Sequence, residues 1–299
     1  MKLVPKLLPA LLLGGAGALV MAFPANAASV SPSSGMTGQA HPVPRTITPR
    51  TATLFPVFGS ELPVPAETQV RVTANCPKGT VPFGGGVFTG SGSILVNVND
   101  SFPSGSGWIG DVNNASDQDT DASVAVMCGH KPAHYKVVKA NTVANPSGHH
   151  TVATAKCPAG SKPIGGGASA GSRSLFTNMA STFPQGQAWR VDENNASAGG
   201  NKLTTFAVCG QVSGYHVFIG PAQNLMAQTQ TFSTADCPSG LIAIGGGAFV
   251  STSSVGVNIN ETAPGVSDFE WVSYLNNDSG VNFTGSSVAI CAVFTEPVM

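Results

Sequence analysis

The sequence predicts an all-β protein built from three homologous units of about 80 residues each. One motif recurs at a nearly constant period, which is typical of a repeat architecture. Within each unit there are short runs of apolar and β-branched residues whose pattern has a period of two residues, and Gly-rich turns separate the runs. Downstream of residue 27 we find no stretch of about 12 residues with a helical stripe of apolar side chains.

The repeated motif consists of Cys-Pro-x-Gly, a Gly triplet, Pro, Trp, Asn-Asn and a second Cys. The triplet begins eight residues after the first Cys, and the Asn pair begins five residues after the Trp, in all three copies. The first and last cysteines of the copies are Cys76 and Cys128, Cys157 and Cys209, and Cys237 and Cys291. Including the upstream residues, the units cover 51–131, 132–212 and 213–299.

The apolar runs predict short strands. Residues 123–128, 205–209 and 287–291 end at the second cysteine of each unit, and turn clusters such as 103–107 separate such runs. This spacing predicts five or six strands per unit.

The first 27 residues read as a signal peptide. Lys2 and Lys6 form a basic start, residues 7–23 are almost wholly apolar, and Ala25 and Ala27 give the small-x-small pattern of a cleavage site. An apolar run of about 17 residues with internal Gly and Pro is short for a membrane anchor. We therefore expect cleavage after Ala27, export to the extracellular space and no membrane span in the mature chain. Residues 28–50, rich in Ser, Thr, Pro and Gly, are expected to be a flexible linker.

Six cysteines in three equivalent units leave two symmetric pairings. Pairing within units joins Cys76 to Cys128 and the corresponding cysteines of the other copies. Pairing between units joins the last cysteine of one unit to the first of the next and closes a ring. We favour pairing within units, because each bridge then joins the opening loop of a unit to its last strand; closing a loop of this size is worth about 4 kcal/mol in the chain-entropy model.

The Trp, Gly and Asn positions of the motif have structural and functional interpretations. Trp108, Trp189 and Trp271 are predicted to fill the core, and the alternative is an exposed platform for a ligand such as a sugar. The Gly triplets predict strands against which another backbone or a Trp ring packs closely. The Asn pairs predict turns, although each second Asn also begins a glycosylation sequon, Asn-x-Ser.

Catalytic patterns are weak. Residues 167–171 match Gly-x-Ser-x-Gly around Ser169, and Asp192 and His216 follow in the order of a hydrolase triad. The helix that must follow such a Ser is missing from the pattern, and the corresponding residues of the other units are Phe88 and Phe249. We therefore expect no catalytic residues and no enzyme activity.

Metal and cofactor patterns are equally weak. Residues 117–121 resemble the start of a calcium loop but lack its Gly and its final Glu. His149 and His150 are adjacent without a third ligand at a useful spacing. Charged residues are only 10% of the chain, the net charge is −1 and no basic block is present, which argues against nucleic acid as a partner. We expect no cofactor and no bound metal.

The motif resembles a repeat of uncharacterised secreted bacterial proteins, and the resemblance covers residues 51–299. The Cys-Pro-x-Gly start and the Gly-rich strand are also faintly similar to the repeats of vitelline membrane outer layer protein I. That resemblance implies a secreted β-prism with pseudo-threefold symmetry, and it carries over no binding residues because unit length and Gly triplet differ.

Three architectures and three functions remain open at this point. The first architecture is a pseudo-threefold, prism-like body of three sheets, and the alternative is three tandem β-sandwich modules. The third is a β-trefoil, for which 80 residues per unit is long. We expect a secreted, non-catalytic binding protein for glycans or a cell-surface component. The alternatives are a structural protein of the surface or matrix that self-associates and, least favoured, a secreted hydrolase using Ser169 or an acidic site. The oligomeric state is left open.

Overall fold

The structure is a computed structural model that describes residues 54–293. The expected signal peptide (1–27) and linker (28–50) lie outside the described residues. The described part contains 21 strands and no helix, which confirms the all-β prediction.

Each unit contributes seven strands. The strands of unit 1 are β1 (Leu54–Phe58), β2 (Leu62–Val64), β3 (Thr68–Asn75), β4 (Val81–Thr89), β5 (Val96–Ser104), β6 (Gly107–Asn114) and β7 (Thr120–Gly129). The strands of unit 2 are β8 (Ala133–Lys139), β9 (Val143–Asn145), β10 (His149–Lys156), β11 (Lys162–Ser169), β12 (Thr177–Gln185), β13 (Ala188–Asn195) and β14 (Asn201–Gln211). The strands of unit 3 are β15 (His216–Ile219), β16 (Gln223–Leu225), β17 (Thr229–Asp236), β18 (Ile242–Val250), β19 (Val257–Pro264), β20 (Glu270–Asn277) and β21 (Phe283–Ala292). The prediction of five or six strands was too low, because β2, β9 and β16 have only three residues each and show no alternation.

Every unit divides its strands between two sheets. The first sheet joins β1, β2, β4 and β7 of unit 1 to β17, β19 and β20 of unit 3. The second joins β3, β5 and β6 of unit 1 to β8, β9, β11 and β14 of unit 2, and the third joins β10, β12 and β13 of unit 2 to β15, β16, β18 and β21 of unit 3. This cyclic sharing confirms three similar units arranged in three sheets. It rules out tandem independent sandwiches, because no unit forms a sheet of its own.

The first glycines of the three triplets meet where the units come together. A Cβ on Gly84 would overlap the Cα of Gly245, and a Cβ on Gly165 would lie 2.7 Å from the Cα of Gly84. A Cβ on Gly245 would overlap the carbonyl oxygen of Ile164, beside Gly165. Mutual contact of three equivalent residues marks the pseudo-threefold axis, and only glycine leaves room for the backbones to approach this closely.

The third glycine of each triplet lies at the seam between two units. A Cβ on Gly86 would overlap the carbonyl oxygen of Thr262, and Gly167 and Gly247 face Ser101 and Thr182 in the same way. The Gly triplets thus occupy strands packed closely against other backbone, as predicted.

Hydrogen bonds from buried asparagines also join the units in a ring. The first Asn of each pair donates its amide N–H to a backbone carbonyl of the next unit at 2.8 Å; these bonds run from Asn113 to Thr177, from Asn194 to Val257 and from Asn276 to Val96. Because these asparagines are fully buried, a donor without its acceptor would carry a desolvation cost.

The disulfides join cysteines within units. The bridges are Cys76–Cys128, Cys157–Cys209 and Cys237–Cys291, with sequence separations of 52, 52 and 54 residues. The favoured pairing is therefore confirmed. Three disulfides are consistent with an extracellular protein.

Candidate functional site

Charged side chains from units 1 and 2 meet where β5 and β6 lie beside the loop that follows β11. Asp100 on β5 and Asp111 on β6 are direct cross-strand partners. The register of β5 shifts between Val98 and Asp100, which marks a β-bulge. A bulge changes the direction of the side chains beside it, and here Asp100 reaches unit 2.

Arg71 holds Asp111 in a bidentate ion pair. The two residues are cross-strand partners on β3 and β6. Arg71 Nε donates to Asp111 Oδ1 at 2.8 Å, and Nη2 donates to Oδ2 at 2.7 Å. The Asp111 side chain is 6% exposed and that of Arg71 is 57% exposed. The hydrogen bond with Asp111 raises the pKa of Arg71, so the guanidinium stays charged and presents its remaining N–H groups to solvent.

Asp100 is a buried acid that joins two units. One of its oxygens accepts a hydrogen bond from Ser169 Oγ at 2.8 Å, and the other accepts from the backbone N–H of Ala170 at 2.7 Å. The pKa of Asp100 is raised to about 7: burial is the largest cause and the neighbouring Asp111 also raises it, whereas the hydrogen bonds from Ala170 and Ser169 lower it. In mildly acidic solution Asp100 is therefore neutral and able to donate a proton to a hydrogen bond.

These groups line a cavity of about 470 Å³, which we call the junction groove. Its lining residues are Gln69, Arg71, Asp100, Asp111, Gly171, Ser172 and Arg173. A second cavity of about 550 Å³ shares Gly171, Ser172 and Arg173 and extends past Thr142 and Lys202. Gln69 donates to the carbonyl oxygen of Ser172 at 3.2 Å and so ties the unit 2 loop to unit 1.

The other two junctions place different side chains in the same positions. Where Asp100 accepts from Ala170, Ser181 accepts from the Val250 N–H and Glu261 accepts from the Thr89 N–H. A side-chain acceptor for this backbone N–H is therefore present at all three junctions.

The charged residues near Asp100 in the junction groove have no charged pair of the same kind at the corresponding positions of the other two junctions. The Arg71–Asp111 pair corresponds to Val152–Asp192 and Phe232–Tyr274, and Arg173 corresponds to Gly92 and Ser253. Within residues 54–293, the junction of units 1 and 2 is the one that combines two arginines with two aspartates.

The tryptophans form core and not a ligand platform. Trp108 is 1% exposed, and Trp189 and Trp271 are 0% exposed. Each indole packs on the second Gly of its own triplet, and each Nε1 donates to a Ser or Thr hydroxyl at 2.8–2.9 Å. The platform interpretation was wrong because a Gly without a side chain provides the space that an indole ring fills.

The second Asn of each pair closes a loop. In unit 2, Asn195 donates to the carbonyl oxygens of Asn145 and Gly199, both at 2.9 Å, and accepts from the N–H and Oγ of Ser197. Asn114 and Asn277 make the equivalent bonds and are also fully buried. The sequon is thus a structural clamp, and its amide nitrogen is inaccessible in the folded protein.

The structure does not assemble the suggested hydrolase triad. Ser169 donates to Asp100, whereas Asp192 accepts from Arg190 at 2.6 Å and lies 3.8 Å from the ring of His150. The ring of His216 lies against Phe218 on β15. None of these contacts joins Ser169, Asp192 and His216.

The suggested metal ligands are likewise separate. Asp119 accepts from the Ala66 N–H at 2.9 Å, and His149 bonds to the carbonyl of Ser147. In the described part of the chain, no cluster of three or more His, Cys, Asp or Glu side chains is arranged to hold a metal ion.

Sequence reasoning missed Arg71, Asp100, Asp111 and Arg173. The signal that could have found them is the departure of one copy from the other two. Once the repeats are aligned on their Gly triplets, Ser169 stands where the other units have Phe, and Arg173 stands where they have Gly or Ser.

Comparison of the chain with models of known protein families found no match, and comparison with curated protein sequences found none either. No helix within residues 54–293 is long and apolar enough to cross a membrane.

Proposed function

We propose that this protein is a secreted, non-catalytic binding protein that holds a saccharide in the junction groove. The observation that carries the proposal is the Arg71–Asp111 pair, fixed on paired strands beside the protonatable Asp100. Saccharides are recognised through hydroxyl groups that both donate and accept hydrogen bonds. The groove offers charged donors, carboxyl oxygens and the amide oxygen of Gln69 within one cavity, as recognition of such a ligand needs.

A binding role is supported over catalysis by the position of Asp100. Asp100 is 1% exposed, and its carboxylate accepts the backbone N–H whose equivalents Ser181 and Glu261 accept at the other junctions. Asp100 therefore stabilises the contact between units 1 and 2, and this role does not require a substrate.

The test is retention of the purified protein on a panel of insoluble polysaccharides. We expect the wild-type protein to be retained by a member of the panel and Arg71→Ala to lose at least about tenfold in affinity, since charge-assisted hydrogen bonds are worth about 1.5–3 kcal/mol. Val152→Ala, which changes the corresponding position in unit 2, is the matched control and is expected to bind normally. No release of reducing ends is expected during the incubation.

Arg173→Ala keeps the test informative if loss of Arg71 lowers stability. Arg173 is exposed and makes no hydrogen bond or ion pair among the described residues. Failure of the wild-type protein to bind any member of the panel, or unchanged binding by both arginine variants, contradicts the proposal.

A further inference from the structure

We propose that the saccharide held in the junction groove is an anionic polymer of uronic acids, whose carboxylates pair with Arg71, Arg173 and Lys202. This inference rests on the proposed function and names its ligand class. It follows from the distribution of charge along the groove and over the three units.

Three cations follow one another along the two connected cavities. Arg71 lines the first, Arg173 lies in the loop shared by both, and Lys202 lines the second. Arg173 and Lys202 are exposed and have no ion-pair partner among the described residues. Asp111 accepts hydrogen bonds from two of the five N–H groups of Arg71. The remaining N–H groups of the guanidinium can donate to a ligand. A row of cations with spare donors fits a ligand with repeated carboxylates.

The rest of unit 2 adds to this positive charge. Its basic side chains are Lys136, Lys139, Lys156, Lys162, Arg173, Arg190 and Lys202, and all except the partly buried Arg190 are exposed. Its acids are Asp192, which is paired with Arg190, and Glu193, which receives a hydrogen bond from Asn145. Both are buried, and burial holds the pKa of Glu193 well above its usual range. The exposed charge of unit 2 is therefore entirely basic.

The other two units carry the opposite charge. Residues 213–299 contain no Lys or Arg, and their described acids are Asp236, Glu261, Asp268, Glu270 and Asp278. In unit 1 seven acids accompany three basic residues, Arg71, Lys78 and Lys131. A long polyanion is accordingly attracted to the surface that leads to the groove and repelled from the surfaces on either side.

The ligand test compares two polymers with the same sugar backbone, of which only one is charged: polygalacturonate and the same polymer with its carboxylates methyl-esterified. Affinity is measured by titration calorimetry at low and moderate salt. We expect polygalacturonate to bind at least about tenfold more tightly than its ester and to weaken as salt screens the charges. Arg173→Gln and Lys202→Gln are each expected to lower affinity about tenfold. Lys78→Gln, which removes an exposed charge outside the groove, is expected to leave it unchanged.

The opposite outcomes separate this inference from the proposed function. Equal binding of both polymers, or binding of neutral polysaccharides alone, overturns the uronate inference while the proposed function survives. No binding of any polysaccharide defeats both. Equal affinity for polyacrylate, which carries carboxylates without sugars, shows that charge alone is recognised and overturns the inference. A further outcome is salt-sensitive self-association in sedimentation that Arg173→Gln and Lys202→Gln abolish. That result would show that the basic surface binds the acidic surface of a second copy of the protein, and it would overturn the uronate inference.

Discussion

Replacement of Asp100 by Asn tests whether the junction of units 1 and 2 is built around a protonated carboxyl group. The pKa of Asp100 is raised from 3.8 to about 7, first by burial and further by Asp111. One pKa unit corresponds to about 1.4 kcal/mol, so ionising this group in the folded protein costs about 4 kcal/mol. Protonated Asp100 therefore adds this amount to the free energy of unfolding. The contribution is present in full below the pKa of the unfolded chain, near 4, and is lost as the pH rises through about 7.

Asn imitates the neutral acid because it keeps an oxygen that accepts the Ala170 N–H and adds an amide donor toward Asp111. We therefore expect Asp100→Asn to match the wild-type protein at pH 4. At pH 8 we expect it to exceed the wild type by about 4 kcal/mol in the free energy of unfolding. The charged groups that act on Asp100 are Asp111, Arg71 and Glu193, and all three are unchanged in the variant.

The assay is urea unfolding followed by Trp fluorescence at several pH values between 4 and 8, at constant ionic strength. Comparison with the wild type at each pH cancels the contributions of the titrating groups that do not interact with Asp100. Asp117→Asn, in the exposed loop after β6, controls for removal of a carboxylate as such. A difference between Asp100→Asn and wild type that stays constant over this pH range would refute the reasoning.

Three further predictions concern the repeated motif. Gly166→Ala is expected to destabilise the protein by at least about 1–3 kcal/mol, because a Cβ there would overlap a buried indole; Gly199→Ala, with open space around it, is the control in the same denaturation assay. Asn195→Ala is expected to cost about 2–4 kcal/mol in urea unfolding, since it removes the hydrogen bonds that Asn195 donates to two backbone carbonyls and accepts from the N–H and Oγ of Ser197; a loss below about 0.5 kcal/mol would show that these bonds do not stabilise the loop. Joint replacement of Cys157 and Cys209 by Ala is expected to lower stability by about 2–5 kcal/mol in thermal or urea unfolding, and an unchanged midpoint would show that the bridge does not constrain the unfolded chain.

Local signals in the sequence were sufficient for much of the fold. The constant spacings from Cys to the Gly triplet and from Trp to the Asn pair identified three equivalent units, and equivalence reduced the cysteine pairings to two symmetric sets. The Gly triplets also carried correct information, because a strand without side chains implies a close neighbour. Gly84 meets the backbone of another unit, and Gly85 meets the ring of Trp108.

The sharing of sheets was beyond sequence reasoning. Val87 pairs with Thr262 of unit 3, whereas Ser101 of unit 1 pairs with Ala168 of unit 2. Equivalent strands from different units have similar alternation, so the pattern is compatible with pairing inside a unit or across a junction. Only the three-dimensional path of each unit decides between them.

The candidate site was hidden for the same reason. Asp100 and Ser169 are 69 residues apart and belong to different units, and each looks like an ordinary strand residue in its own repeat. Their contact requires the junction of two units and the bulge that changes the direction of Asp100.

Sequence alone determined that this chain is a triplicated β protein with two cysteines per unit, because periodicity and residue type are properties of neighbouring positions along the chain. Tertiary structure decided which strands share a sheet, that all three indoles are buried, and that a charged groove lies between units 1 and 2. These features depend on contacts between residues far apart in sequence, and equivalent repeats give such contacts no distinct local signature.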